Sequence, residues 1–159
     1  MIRHIYAEAF RRPDDPTRVP PVVELFDALC LANDVIDELS FIALHAGEPV
    51  AHVTASTATV GLHPVVAVGP IGVLPEHQRK GAGSALMHAL LGAADALNVP
   101  LVVLLGSPAY YSRFGFRSAT ELGVVPREPG WGEAFQARPL TAHSPSVAGR
   151  FEYAPAFST

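Results

Sequence analysis

Apolar side chains recur along this chain with two spacings, and the alternation between them predicts interleaved helices and strands. Ile2, Ile5, Tyr6 and Ala9 fall on one side of a helix, which prolines between Pro13 and Pro21 then interrupt. Val22, Leu25, Phe26 and Leu29 rebuild a helical stripe and predict a second short helix over 22–31. From residue 41 the pattern becomes strand-like. Runs at 41–44 and 50–58 flank the turn composition His45-Ala46-Gly47-Glu48-Pro49, which predicts a hairpin. Residues 65–73 read as a third strand. Gly69-Pro70 inside it predicts a bulge or an edge, because proline has no N–H to give to a ladder. Such an interruption frees backbone groups for an extended ligand that carries amides of its own.

Leu86, Leu90, Ala94 and Leu97, joined by Met87 and Leu91, form one apolar helical face. Asn98-Val99-Pro100 ends it. Residues 101–105 are wholly apolar, the signature of a buried parallel strand, so strand, helix and strand predict a right-handed crossover. Residues 116–125 and 134–140 read as two further strands, separated by a Pro/Gly-rich excursion at 126–132 that carries the only tryptophan, Trp131. Trp131 either frames a substrate together with the 11–21 loop or packs within its own loop.

Composition narrows the class. With 159 residues and 49% hydrophobic side chains, the chain is expected to fold as one domain spanning 1–159. A net charge of −4 and the lack of any Lys/Arg cluster argue against a nucleic-acid partner. The single cysteine, Cys30, excludes an internal disulfide and sits in the apolar run VVELFDALCLA, where buried packing is expected. With neither a leader pattern nor a long apolar run, the expectation is a soluble cytoplasmic protein without a membrane partner. The seven histidines show no metal-ligand spacing, so no metal is expected.

The chemistry concentrates in GVLPEHQRKGAGSALMHALL, residues 72–91, where a strand end runs through a Gly-rich basic turn into a helix. Gly81 and Gly83 let the backbone turn tightly and lie close to a ligand, and the helix start near Ser84 aims unpaired N–H groups at the same spot. An anionic diphosphate suits that place. The spacing is not a P-loop, because no Lys-Ser or Lys-Thr pair follows the second glycine, and only two members of a dinucleotide fingerprint are present. Lys80, the only lysine in the chain, lies in this turn.

The segment Gln78-Arg79-Lys80-Gly81-Ala82-Gly83 resembles motif A of the GCN5-related N-acetyltransferases (GNAT), Q/R-x-x-G-x-G/A. A second element, GSPAYYSRFGF at 106–116, sets Tyr111 four residues before Gly115, as that superfamily's Tyr-x-x-x-Gly-Phe element does. Together with AHVTAS and the tail FEYAPAF, these segments resemble the YhbS-type predicted acetyltransferase family over residues 42–157.

The resemblance implies an α/β acyl-CoA N-acyltransferase fold, a mixed, splayed sheet flanked by helices. The superfamily usually sets an edge strand ahead of its first helix, whereas the pattern here starts in the helix at Ile2, so the presence of that strand is left open. It implies an acetyl-CoA-dependent N-acetyltransferase that acts on a primary amine of a small molecule or peptide by direct attack in a ternary complex. The rival reading is a noncatalytic acyl-CoA-binding or sensing module. The backbone of Arg79, Lys80, Gly81, Ala82, Gly83 and Ser84 would hold the diphosphate of coenzyme A. The strand at Ile71, Gly72 and Val73 would pair with pantetheine.

Tyr111 would protonate the departing thiolate, with Tyr110 a packing residue. His52 is the candidate base, on its intrinsic pKa and its family-like position. Where related sequences carry an acidic residue beside the tyrosine, this chain has Ser107. The apolar run 134–140 and the aromatic tail 151–157 either meet across a homodimer or close the domain.

Overall fold

The computed structural model describes residues 1–158 and places the predicted stripes against a single mixed sheet. Helix α1 (Ile2–Ala9) buries Ile5 and Tyr6, and helix α2 (Pro21–Leu31) buries Val23 and Leu29. Pro21 opens α2, where its missing N–H leaves no helical bond unmade. Cys30, expected inside, is exposed. It follows the fully buried Leu29 by one helical position, about 100° around the axis, and so leaves the core face.

Strands β1 (Phe41–His45) and β2 (Glu48–Val60) form the expected hairpin, turning through Ala46 and Gly47 at positive φ. Strand β3 (His63–Val73) runs antiparallel to β2 along its length. Ala55 pairs with Val68 and Val53 with Ile71, so Thr54 alone faces Gly69 and Pro70. That is the bulge the Gly-Pro pair predicts, and the Gly69–Pro70 peptide is cis.

Helix α3 (Ala82–Ala96) then leads into strand β4 (Leu101–Leu105), which is parallel to β3. After the short helix α4 (Pro108–Tyr111) come β5 (Arg117–Ser118), β6 (Val124–Val125), β7 (Phe135–Pro139) and β8 (Gly149–Tyr153). The sheet order is β5-β7-β4-β3-β2-β8-β6, with β1 also on β2.

One reading of the sequence changes here. Residues 116–125 do not form one strand: β5 pairs with β7 and β6 with β8, at opposite ends of the sheet. A 3-10 turn at Ala119–Leu122 and Gly123 at φ 75° divide them, a reversal that an extended strand cannot contain. The segments 134–140 and 151–157 find their partners inside the chain. β7 lies between β4 and β5, and β8 pairs with the end of β2 and buries Phe151 completely.

The central strands are covered on both faces. Along β4, Val102 and Leu104 face the core built on Leu86, Met87 and Leu90 of α3, while Leu101 and Val103 face Phe135, Phe151 and Trp131. Each fully buried leucine in these layers contributes about 1.5–3 kcal/mol of transfer free energy. β2 divides the same way: Val53 and Ala55 pack toward α3, and His52 and Thr54 meet α1.

Candidate active site

β3 and β4 pair only at Val66↔Val102 and Ala67↔Val103, and beyond Ala67 they part. The edge of β3 that faces β4 is therefore open, while its other edge is occupied: Ile71, Gly72 and Val73 pair with Val53, His52 and Ala51 of β2. Gly72 lies under α1, where a Cβ would come 2.9 Å from the Tyr6 ring and 3.2 Å from Ala9 Cβ. The open edge and its gap lead to the turn ahead of α3.

That turn is held at both ends. Leu74 N–H donates to Val50 O (2.8 Å), and Gln78 Nε2 donates to Val73 O (3.1 Å). Arg79 at φ 61° and Gly81 at φ 91° wrap the chain into the helix. For glycine this costs little, whereas for arginine the left-handed region costs about 1–2 kcal/mol. α3 starts with no side-chain cap, and its first helical bond runs from Ala85 N–H to Gly81 O.

The N–H groups of Ala82, Gly83 and Ser84 thus lack helical partners and carry the positive end of the helix dipole. They front an open cleft of about 430 Å³ lined by Arg79, Gly81, Gly83, Ser84 and Tyr110. Lys80 and Ala82 do not line it with their side chains. A Cβ on Gly81 would meet nothing within 4 Å, but one on Gly83 would stand 3.1 Å from the Tyr110 hydroxyl. The backbone here is bare and close to the cleft, as a backbone cradle for a diphosphate requires.

The tyrosine pair of α4 faces two ways, with rings 4.9 Å apart and nearly perpendicular at 89°. Tyr110, expected only to pack, brings its hydroxyl to the cradle. Arg113 joins it there: its guanidinium lies 4.6 Å from the Tyr110 ring centre, and its Nε donates to Tyr110 O at 2.9 Å. The sequence signal for Arg113 was its position three residues after Tyr110, one turn on.

Tyr111 instead lays its ring on Gly106, immediately past β4, where a Cβ would collide with the ring. Tyr111 therefore stands at the end of the strand that forms the far wall of the gap. Burial, with a smaller contribution from Tyr110, pushes its phenol pKa up, so it holds its proton at neutral pH.

His52 belongs to another cluster. It is 3% exposed, and its Nδ1 lies 2.7 Å from the Tyr6 hydroxyl, which also meets Thr54 Oγ1 at 2.7 Å and donates to Pro70 O at 2.9 Å. Burial lowers the His52 pKa to about 4 and raises that of Tyr6, so both are neutral at pH 7. The network pins α1 to the bulge of β3. His52 is on β2, and β3 stands between that strand and the gap.

Trp131, expected either in a substrate loop or in packing, packs on Phe135, Phe151 and Tyr153. Among the described residues, no group of three or more His, Cys, Asp and Glu side chains is placed to hold a metal ion. No helix among them is long and apolar enough to cross a membrane.

Known proteins resemble this chain in both sequence and structure. In sequence the chain is similar to the uncharacterized N-acetyltransferase YhbS of Escherichia coli (strain K12), with 34% identity over 89 residues, 55% of this chain and 53% of that protein. The chain thus spans about half the length of the curated relatives it matches. In structure it is similar to the GNAT family N-acetyltransferase YhbS of Escherichia coli in complex with CoA, with a TM-score of 0.79 and 27% identity over 87% of this chain and 78% of that one.

It is also similar to a GNAT family acetyltransferase from Brucella melitensis in complex with acetyl-CoA, with a TM-score of 0.74 and 28% identity over 98% of this chain and 89% of that one. The model of the acetyltransferase (GNAT) family matches residues 1–116, which include the parted strands, the glycine turn and the tyrosine pair. This chain belongs to the acetyltransferase (GNAT) family.

Proposed function

We propose that this chain is an N-acetyltransferase that moves an acetyl group from acetyl-CoA to a primary amine of a small molecule or peptide, by direct attack within a ternary complex. The observation that carries the reading is the open edge of β3 leading straight into an uncapped helix start. Two similar proteins whose structures contain CoA or acetyl-CoA support it.

The backbone amides of Arg79, Lys80, Gly81, Ala82, Gly83 and Ser84 form the diphosphate cradle, with Arg79 and Arg113 adding charge. The open edge of Ile71, Gly72 and Val73 receives the amides of pantetheine, and Gln78 holds Val73 O so that the strand end keeps its place. When bound, acetyl-CoA supplies an activated acetyl thioester beside Tyr111. As the amine nitrogen bonds to the acyl carbon, a β3 backbone N–H stabilises the charge that builds on the acyl oxygen. The carbon–sulfur bond then breaks, and Tyr111 gives its phenol proton to the departing sulfur. The amine releases its surplus proton to water at the mouth of the cleft, and the Tyr111 phenolate takes a proton back from water, which restores the phenol for the next turnover. His52 acts on β3 through Tyr6.

The test is thioester consumption across a panel of primary amines, with Tyr111→Phe alongside. At least one amine should be turned over, and the variant should lose about 100-fold in kcat while its KM for acetyl-CoA stays within about threefold. Equal activity of the variant removes the acid role. Tight acetyl-CoA binding with no turnover of any amine favours the acyl-CoA-sensing reading.

A further inference from the structure

A pocket of about 390 Å³ lies on the other side of β2 from the gap, between α2 and β1, with His52 in its wall. Its apolar walls come from Ile2, Phe26, Val35 and Ile42, and its polar lining from Asn33, Asp37 and Ser40. Phe26 and His52 meet edge to face at 5.9 Å. None of these groups touches the reacting atoms of the transfer, and only His52 bears on it, through Tyr6.

The hydrogen-bond pattern fixes which nitrogen of His52 is bare. The Tyr6 hydroxyl has one proton and three close polar neighbours, and Pro70 O, a carbonyl, can only accept. Were the Tyr6 proton given elsewhere, two oxygen lone pairs would face each other at 2.9 Å. Tyr6 therefore donates to Pro70 O, and His52 Nδ1–H and the Thr54 hydroxyl donate to Tyr6. The neutral imidazole then carries its proton on Nδ1 and leaves Nε2 as a lone pair, with no hydrogen-bond partner among the described residues.

The electrostatic setting is negative. Asp27 is tied to Arg3 at 3.3 Å, whereas Asp37 has no ion-pair partner among the described residues. The thiol of Cys30, also in the lining, is held above its ordinary pKa by burial first and then by Asp27 and Asp37. A lone-pair acceptor, a carboxylate and an aromatic wall together ask for a ligand that is cationic, donates N–H and has an apolar body.

We propose that this pocket is a second small-molecule site, which takes an organic ammonium ion whose N–H donates to His52 Nε2, whose charge pairs with Asp37 and whose apolar body lies against Phe26 and Ile42. An amine held there is not the one acetylated. The pocket is built over β1 and β2, and β3 separates it from the gap, so it lies one to two strand spacings of about 4.8 Å away. The site stands on the hydrogen bonds of His52 and not on the transfer reaction.

Long-range proton–nitrogen NMR of the histidine rings, recorded at pH 7.5 on the protein without acetyl-CoA, tests this independently of catalysis. Before any ligand, His52 should show protonated Nδ1 and bare Nε2. 2-Phenylethylamine should shift Nε2 saturably, while 3-phenylpropionate, similar in size but anionic, should leave it in place. Asp37→Asn, a shape-conserving change at an exposed position, should weaken the amine at least fivefold. A protonated Nε2 in the free protein overturns the proposal, as do an unmoved resonance at high amine, equal binding of the acid, or unchanged affinity in the variant.

Discussion

The Tyr110 hydroxyl stands 3.1 Å from the point a Cβ would occupy on Gly83, so the first turn of α3 and the aromatic helix α4 meet across bare backbone. Gly83→Ala separates stability from binding. Alanine is the better helix former by up to about 1 kcal/mol, so the melting temperature should hold or rise slightly. The added methyl pushes on Tyr110 and crowds the amide cradle, so acetyl-CoA affinity should fall about tenfold or more by isothermal titration. Unchanged affinity would remove the cradle from position 83.

Gly72 presents the opposite case, because its missing side chain is needed for packing. A Cβ there would lie 2.9 Å and 3.3 Å from Tyr6 ring carbons and 3.2 Å from Ala9 Cβ, with α1 already fixed by the Tyr6 hydroxyl. Gly72→Ala should destabilise by about 1–3 kcal/mol, as overpacking does. In a chain of this size that lowers the melting temperature by roughly 3–10 °C. Calorimetry at neutral pH measures it, and an unaltered melting temperature would contradict the tight seat of α1 on β3.

His52 gives the fold an acid-sensitive component. Its pKa falls from an ordinary 6.5 to about 4 on folding because burial disfavours the imidazolium. Between those values the unfolded chain takes up a proton that the folded chain refuses, so stability falls as pH drops from 6.5 toward 4 and levels off below. The full loss is about 3 kcal/mol. Urea unfolding at pH 7 and pH 4.5 should show His52→Gln losing less stability than the parent by about 2 kcal/mol, since pH 4.5 lies short of the full loss. Equal losses would mean that His52 titrates normally.

Much of this arrangement is legible in the sequence, for identifiable reasons. The hairpin, β3 with its bulge, α3 and β4 each carry a local signal: turn residues at fixed offsets, a proline in a strand, helical period, an apolar run. The glycine turn is legible because φ values of 91° at Gly81 and 61° at Arg79 demand a special backbone, which one glycine announces. The facing of Tyr110 and Tyr111 is not, since neighbours on a helix of four residues point about 100° apart and only packing against Gly106 and Gly83 decides which goes where. β5 and β6 escape because runs of two residues have no period. Cys30 misleads because α2 is apolar on more than its buried side, and His52 because its partner, Tyr6, is 46 residues away.

The central claim is that the uncapped amides where α3 begins grip the diphosphate and so lay the thioester arm along the open edge of β3. Titration calorimetry of acetyl-CoA against S-acetylpantetheine, which keeps the arm and lacks the diphosphate, measures that grip directly. The account predicts that acetyl-CoA binds at least about 100-fold more tightly, roughly 3 kcal/mol from the charged contacts. Equal affinity for the two would contradict it.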